Sequence, residues 1–274
     1  NFLVPPQDSH TGPPCMIKGA IRALSPERRR KSTEPSPADP AVPLLQSAMA
    51  APSRKFDLAI LGATGFTGRL CAEYIAKNYA DTIPKFRWAL AGRSAVRLRA
   101  VAESLSCKNQ PELVLVDTEK FDTVRAMAAD TFVVLNTAGP FEKYGTPVVE
   151  ACAYLGTNYC DITGEVFWCK EMEERYGEAA KRSGALIVPM CGYDSVPADI
   201  GTFVVAQYMQ ERLGKSCGKV KVFHHGLRGG MSGGTIGTMC GIVKRPWGQL
   251  IKLVKKTFLD AYSYNPGGGW RRGD

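Results

Sequence analysis

A chain of 274 residues, 45% of them hydrophobic, has room for one large domain or two small ones and for a sizeable core. Its formal net charge of +9 does not argue for nucleic acid, because the excess sits at the two ends: residues 1–53 hold six Lys/Arg against four Asp/Glu, and residues 241–274 hold seven against two. No apolar run approaches the roughly 20 residues that cross a bilayer, and nine scattered cysteines without a C-x-x-C pair fit a reducing, intracellular compartment better than a disulfide framework.

Residues 1–53 are rich in Pro, Ser and Arg and carry no periodic apolar pattern, which predicts disorder. Met49 to Ser53 has the look of a natural start. Residues 1–48 therefore read as a translated upstream leader, with organelle targeting as the rival. The folded region is expected to open at residue 54.

Phe56 to Leu61 is nearly all apolar and reads as a buried parallel strand. Gly62, Gly65 and Gly68 follow at three-residue spacing, then a helix over Arg69 to Asn78 with Leu70, Tyr74 and Ile75 on one face. Strand, glycine turn and helix in that order make a dinucleotide-binding unit. Gly62 serves the tight turn, Gly65 lets backbone N–H groups approach a pyrophosphate, and Gly68 lets helix and strand pack closely. Ala63, Thr64, Phe66 and Thr67 complete the turn, and the helix N-terminus offers free N–H groups to the phosphates.

Strand two is predicted over Phe86 to Ala91, followed by a helix carrying Leu98, Val101, Ala102 and Leu105. Strand three covers Glu112 to Val116, and helix three spans about 119–130 with Phe121, Val124 and Ala128 inward. Strand four is Thr131 to Leu135. Thr146 and Pro147 read as N-cap and first position of the next helix, with Gly156 past its end. Strand five is Asn158 to Ile162, a helix runs to about Arg182, strand six is Ala185 to Pro189, and a last helix covers about Ala198 to Arg212. Regular alternation with short links predicts an α/β fold: a Rossmann-type doubly wound parallel sheet over residues 54–214. Val220 to His224 alternates in strand fashion, so residues 215–274 read as the start of an incomplete second α/β domain.

Ligands of such sheets bind at the carboxyl ends of the strands. The end of strand two carries no acid to hold a ribose 2′-hydroxyl. It carries Arg93, whose planar fork suits a 2′-phosphate, with Ser94 beside it, so NADP(H) is favoured over NAD(H). Asp117 is placed to accept from an adenine amine or to cap a helix. Asn136, Ala138 and Gly139 are placed beside a nicotinamide ribose. Asp161, Glu165, Tyr193 and Asp194 follow later strands at the same edge and are candidates for proton transfer; Asp194 and Ser195 also suit a helix cap. Cys217, His224, His225 and Cys240 match no zinc spacing, so no metal is expected. No Tyr is followed by Lys four residues later, and no G-x-S-x-G or Walker lysine occurs.

The run Leu61 to Gly68, the Ala91-Gly92-Arg93 turn, Val134 to Phe141, Tyr144-Gly145, Cys160 to Glu165 and Gly192 to Asp199 occur in this order in the saccharopine dehydrogenase-like oxidoreductases, and the chain resembles that family from about Lys55 to His225. The group includes trans-acting enoyl reductases of lipid synthesis. The resemblance implies an NAD(P)H-dependent oxidoreductase acting on a small-molecule or lipid-linked enoyl or carbonyl substrate. It also implies a second α/β domain that this chain only begins, and peripheral association with membranes or lipid droplets. The rival reading is a nucleotide-binding scaffold at lipid surfaces without catalysis. A homodimer stays open as an assembly.

Overall fold

β1 (Phe56–Leu61) lies at the middle of a six-stranded sheet in which every pairing is parallel. The computed structural model describes residues 54–218 and 220–223, with Gly233, Gly248 and Ile251 as isolated positions. In chain order, β1 is followed by α1 (Phe66–Ile75), which runs on into a π-helical turn over Ala76–Ala80, then β2 (Trp88–Gly92), α2 (Ala95–Glu103), β3 (Glu112–Leu115) and α3 (Phe121–Asp130). β4 (Thr131–Asn136), the short α4 (Phe141–Tyr144), α5 (Thr146–Leu155), β5 (Asn158–Asp161), α6 (Val166–Ser183), β6 (Ile187–Val188) and α7 (Val196–Leu213) complete it.

The strand order is β3-β2-β1-β4-β5-β6. The chain winds outward one way from β1, returns, and winds outward the other way from β4. That is the doubly wound arrangement expected from sequence, and its order reverses between β1 and β4.

Both faces of the central strands are buried, as parallel sheets require. Ala59 and Leu61, Ala89 and Ala91, and Val134 share one core with Val124, Met127, Val148, Cys152, Trp168 and Met172 from α3, α5 and α6. Ile60 and Leu90 are as fully buried but alternate with these residues along their strands, so they face the other layer. Arg54, at the expected boundary, ties two helix ends together. Its guanidinium donates to the carbonyls of Ala128 and Ala129 at the end of α3 and of Leu155 at the end of α5, and to Thr157 Oγ1. A cation at two helix C-termini meets carbonyls that have no intrahelical partner.

Several local readings are corrected. The inward face of α1 is Gly68, Ala72 and Ile75, whereas Leu70 stands half exposed. At Gly68 the helix comes so close to the turn after β1 that a Cβ would overlap Gly62 O. On α3 the buried set is Val124, Met127 and Ala128, and Phe121 is 40% exposed. β6 is cut to two residues: Pro189 has no N–H for the ladder, and Met190 turns away at φ +62°. Thr146 is the first residue of α5 rather than its cap; Gly145 holds the cap position. Val220 to Phe223 form no strand, and His224 lies outside the described residues.

Candidate dinucleotide site

The reversal of strand order opens a crevice where the chain leaves β1 and β4. The glycine turn forms one lip. Gly62 has φ +83°, a left-handed conformation that L side chains rarely adopt. Its N–H donates to Ala91 O at 3.0 Å, and Thr137 N donates to Leu61 O at 2.8 Å, so the turn is pinned to both neighbouring strands. A Cβ on Gly62 would lie 2.8 Å from Ala138 N and 2.9 Å from Thr137 Oγ1. Gly68 presses on the same turn: a Cβ there would overlap Gly62 O and come within 2.8 Å of Ala63 Cα.

Gly65 differs from both. It closes the turn through its N–H to Gly62 O at 2.9 Å and caps α1 without any side-chain bond. A Cβ on it would meet only Gly62 O, at 3.3 Å. The fold therefore tolerates a small side chain at Gly65, and what needs the space is the crevice in front of α1. There the first-turn N–H groups face open space with no capping side chain.

The crevice encloses about 690 Å³. Gly62, Thr64, Gly65, Phe66 and Thr67 form one side, Ala138 and Gly139 the other, and Arg93 stands at the end beyond β2. Ala63, also expected at the cofactor, is fully buried beneath the turn and is not part of the wall. Glu165 and Asp194 line the end away from Arg93. The cleft is thus cationic at the β2 end and acidic at the β5 end.

Four expected cofactor or catalytic residues are placed otherwise. Asn136 is fully buried, its amide donating to Tyr159 OH at 3.2 Å and its carbonyl oxygen accepting from Ala138 N at 2.9 Å. It holds the turn after β4 in shape and offers nothing to a ligand. Asp161 is also fully buried. One oxygen accepts from Tyr159 OH at 2.7 Å, the other from Thr163 N at 3.1 Å and Met190 N at 2.9 Å. Burial pushes its carboxyl above the usual range despite those donors, and the Tyr159 phenol is pushed well above its own. Asn136, Tyr159 and Asp161 form one internal chain of hydrogen bonds beneath the crevice floor. Ser94 accepts Arg97 N at 3.4 Å as the cap of α2, and Asp117 accepts Glu119 N at 3.2 Å in a turn ahead of α3, whose cap position is Lys120.

Glu165 does line the crevice but is 3% exposed, and its carboxylate accepts Phe141 N at 3.1 Å and Glu142 N at 2.7 Å. Asp194 is the exposed acid of the wall. Its carboxylate passes 3.0 Å from where a Gly164 Cβ would stand, which explains a glycine there. Tyr193 is 59% exposed and not part of the wall. No side chain caps α7 at Ser195.

The structure adds wall residues that the sequence reading did not single out, Val116 and Thr118 on either side of Asp117 and Tyr144 on α4, beside Phe141 and Ile162, which stand in the expected strand-end stretches.

Residues 58–188 match the saccharopine dehydrogenase NADP binding domain. These residues belong to that family. The domain resembles two mycobacterial proteins over most of this chain. One, from Mycobacterium tuberculosis and provisionally named a trans-acting enoyl reductase, is 41% identical over 192 residues, 70% of this chain and 45% of that protein. The other, a trans-acting enoyl reductase of Mycobacterium leprae, is 38% identical over 190 residues, 69% of this chain and 44% of that protein. The chain thus spans less than half the length of these relatives. Among solved structures, saccharopine dehydrogenase from Saccharomyces cerevisiae is similar at TM-score 0.39 and 15% identity, over 55% of this chain and 31% of that one. A triphenylmethane reductase from Citrobacter complexed with NADP(H) is similar at TM-score 0.37 and 14% identity, over 48% of each chain. No helix among this chain's described residues is long and apolar enough to cross a membrane.

Proposed function

We propose that this chain is the nucleotide-binding part of an NADP(H)-dependent oxidoreductase that delivers hydride to an enoyl or carbonyl group of a lipid-linked substrate. The observation that carries the reading is the crevice itself. A left-handed Gly62, an uncapped α1 and a wall free of Cβ atoms at Gly65 stand at the one place where the strand order reverses. The pyrophosphate would lie against the N–H groups of α1, the adenosine ribose toward Arg93, and the nicotinamide between Ala138–Gly139 and Ile162. When bound, NADPH supplies the hydride. Phe66, Phe141 and Ile162 present apolar surface to that space, which suits a hydrocarbon-bearing substrate, and Asp194 is the exposed acid placed to meet a polar group on it. That the mycobacterial relatives are named trans-acting enoyl reductases supports the enoyl class.

A second reading has its own observation. Asp161 and Glu165, two of the four acids and phenols expected to move protons, are committed to internal hydrogen bonds. A protein that keeps the nucleotide and works as a non-catalytic binding component fits that economy of free groups. The two readings separate in one experiment. NADPH and NADH binding is measured by calorimetry, and NADPH oxidation is then followed with enoyl thioesters, carbonyl lipids and saccharopine. Binding with turnover of an enoyl or carbonyl substrate supports the first reading. Binding without turnover of any of them supports the second, and absence of binding to either nucleotide overturns both.

A further inference from the structure

We propose that the outer face of α7 is the docking surface for residues 247–258 of this same chain, a contact that goes beyond the NADP(H) reading and stands without it. α7 is built inside out. The partly buried residues it turns to the domain are mostly small: Ala198, Thr202, Ala206 and Met209. Its bulky apolar residues Ile200, Phe203, Val204 and Tyr208 recur at helical spacing on the opposite face and are exposed, Phe203 by 58% and Tyr208 by 60%. No residue of α7 is fully buried. The stripe of one helix offers on the order of a few hundred Å², short of the roughly 800 Å² per partner that a standard complex between separate chains buries. A segment of the same chain needs less, because its tether sets a high effective concentration. Residues 247–258 carry the matching face. Trp247, Leu250, Ile251, Val254 and Phe258 fall on one side of a helical register, with Lys252, Lys255 and Lys256 off it. Gly248 and Ile251, the described positions within it, are helical and exposed. Charge is complementary as well: no acid occurs from Gly241 to Leu259, whereas Asp199 and Glu211 stand at either end of the α7 stripe. The roughly 30 residues between the two segments span about 30 Å as a flexible chain, enough to return along a helix about 27 Å long. α7 begins directly after Asp194 and Ser195, so a cover on it would also steady the acidic end of the crevice.

The test follows amide hydrogen exchange in the full chain. α7 should be protected in the wild type, and Ile251→Asp with Val254→Asp should raise exchange over residues 200–211 by about tenfold while β1 to β5 keep their protection. Val204→Asp with Tyr208→Asp should in turn raise exchange over residues 247–258. Ile251→Ala with Val254→Ala is the milder pair and should give a smaller rise of the same sign, whereas Lys256→Asp, off the apolar side of the register, should leave α7 protected. Val204 and Tyr208 lie outside the sheet core, so circular dichroism should stay native for their variants. An α7 that is unprotected in the wild type, or equally protected in the Ile251 and Val254 variants, would overturn the inference. So would protection that grows with protein concentration alongside a doubled mass in light scattering, which assigns the stripe to a second copy. Protection seen only with phosphatidylglycerol vesicles would overturn it too, assigning the stripe to a lipid surface.

Discussion

The carboxylate of Glu165 accepts the backbone N–H of Glu142 at 2.7 Å and so closes the first turn of a helix that lies 23 residues away in sequence. Its second oxygen takes Phe141 N at 3.1 Å. Thr163 in turn orients Glu165, its hydroxyl accepting Glu165 N at 3.0 Å. An acid that sequence suggests for proton transfer is thereby a cap supplied from another element.

Glu165→Ala should leave the buried Phe141 N–H and the partly buried Glu142 N–H without their acceptor and cost about 1–3 kcal/mol of stability. Loss of α4 order should also weaken NADPH binding, because Tyr144 and Phe141 form part of the wall. Glu165→Gln keeps one acceptor and should recover about half of the loss. Urea unfolding of the three proteins checks the order; equal stability of wild type and Glu165→Ala would remove the capping role.

Gly65→Val and Gly68→Val should fail in different ways. At Gly65 the new Cβ meets only Gly62 O, at 3.3 Å, and the side chain stands at the crevice wall, so the sheet should survive while nucleotide binding is lost. At Gly68 it would overlap the turn itself, and the domain should lose several kcal/mol or not fold. Circular dichroism with calorimetry on both variants distinguishes the two outcomes.

Arg93→Glu should weaken NADPH by about ten- to a hundredfold, as loss of a charge-assisted contact and its replacement by a like charge predict, with a much smaller change for NADH. Titration of each nucleotide reads the ratio directly, and a parallel loss for both would show that Arg93 does not meet the 2′-phosphate.

Asp161 predicts a pH effect of known sign. Its folded pKa is raised above the ordinary aspartate range, first by desolvation. Between the unfolded and the folded pKa the native state therefore holds more protons, and stability falls as pH rises. The contribution is fully present below the unfolded pKa and is lost as pH passes through the folded one. Wild type should thus show a negative stability slope from this group above about pH 4, and Asp161→Asn should flatten it. Denaturant titrations at several pH values from 4 to 7 supply the comparison; identical slopes would show that the carboxyl is not raised.

The alternation of apolar runs with periodic helices was legible because each element obeys a local rule. Phe56 to Leu61, Trp88 to Gly92 and Thr131 to Asn136 are buried on both faces and so read as continuous apolar runs. The glycine spacing was legible because each glycine answers a backbone demand. The helix faces were less so. Hydrophobicity pointed to Leu70 and Phe121, but the depth at which α1 and α3 sit on the sheet selected Gly68, Ala72 and Met127 instead.

Sequence by itself determined the architecture, the position of the nucleotide crevice and the absence of an acid after β2, since each depends on residues within a few positions of one another. Only the tertiary structure decided which polar side chains are free. Asn136, Asp161 and Glu165 look alike in sequence to any residue at a strand's carboxyl end. Their partners, Tyr159, Met190, Phe141 and Glu142, arrive through strand pairing and helix packing. A buried polar group must find such a partner or carry a desolvation cost, and where that partner lies is a property of the fold.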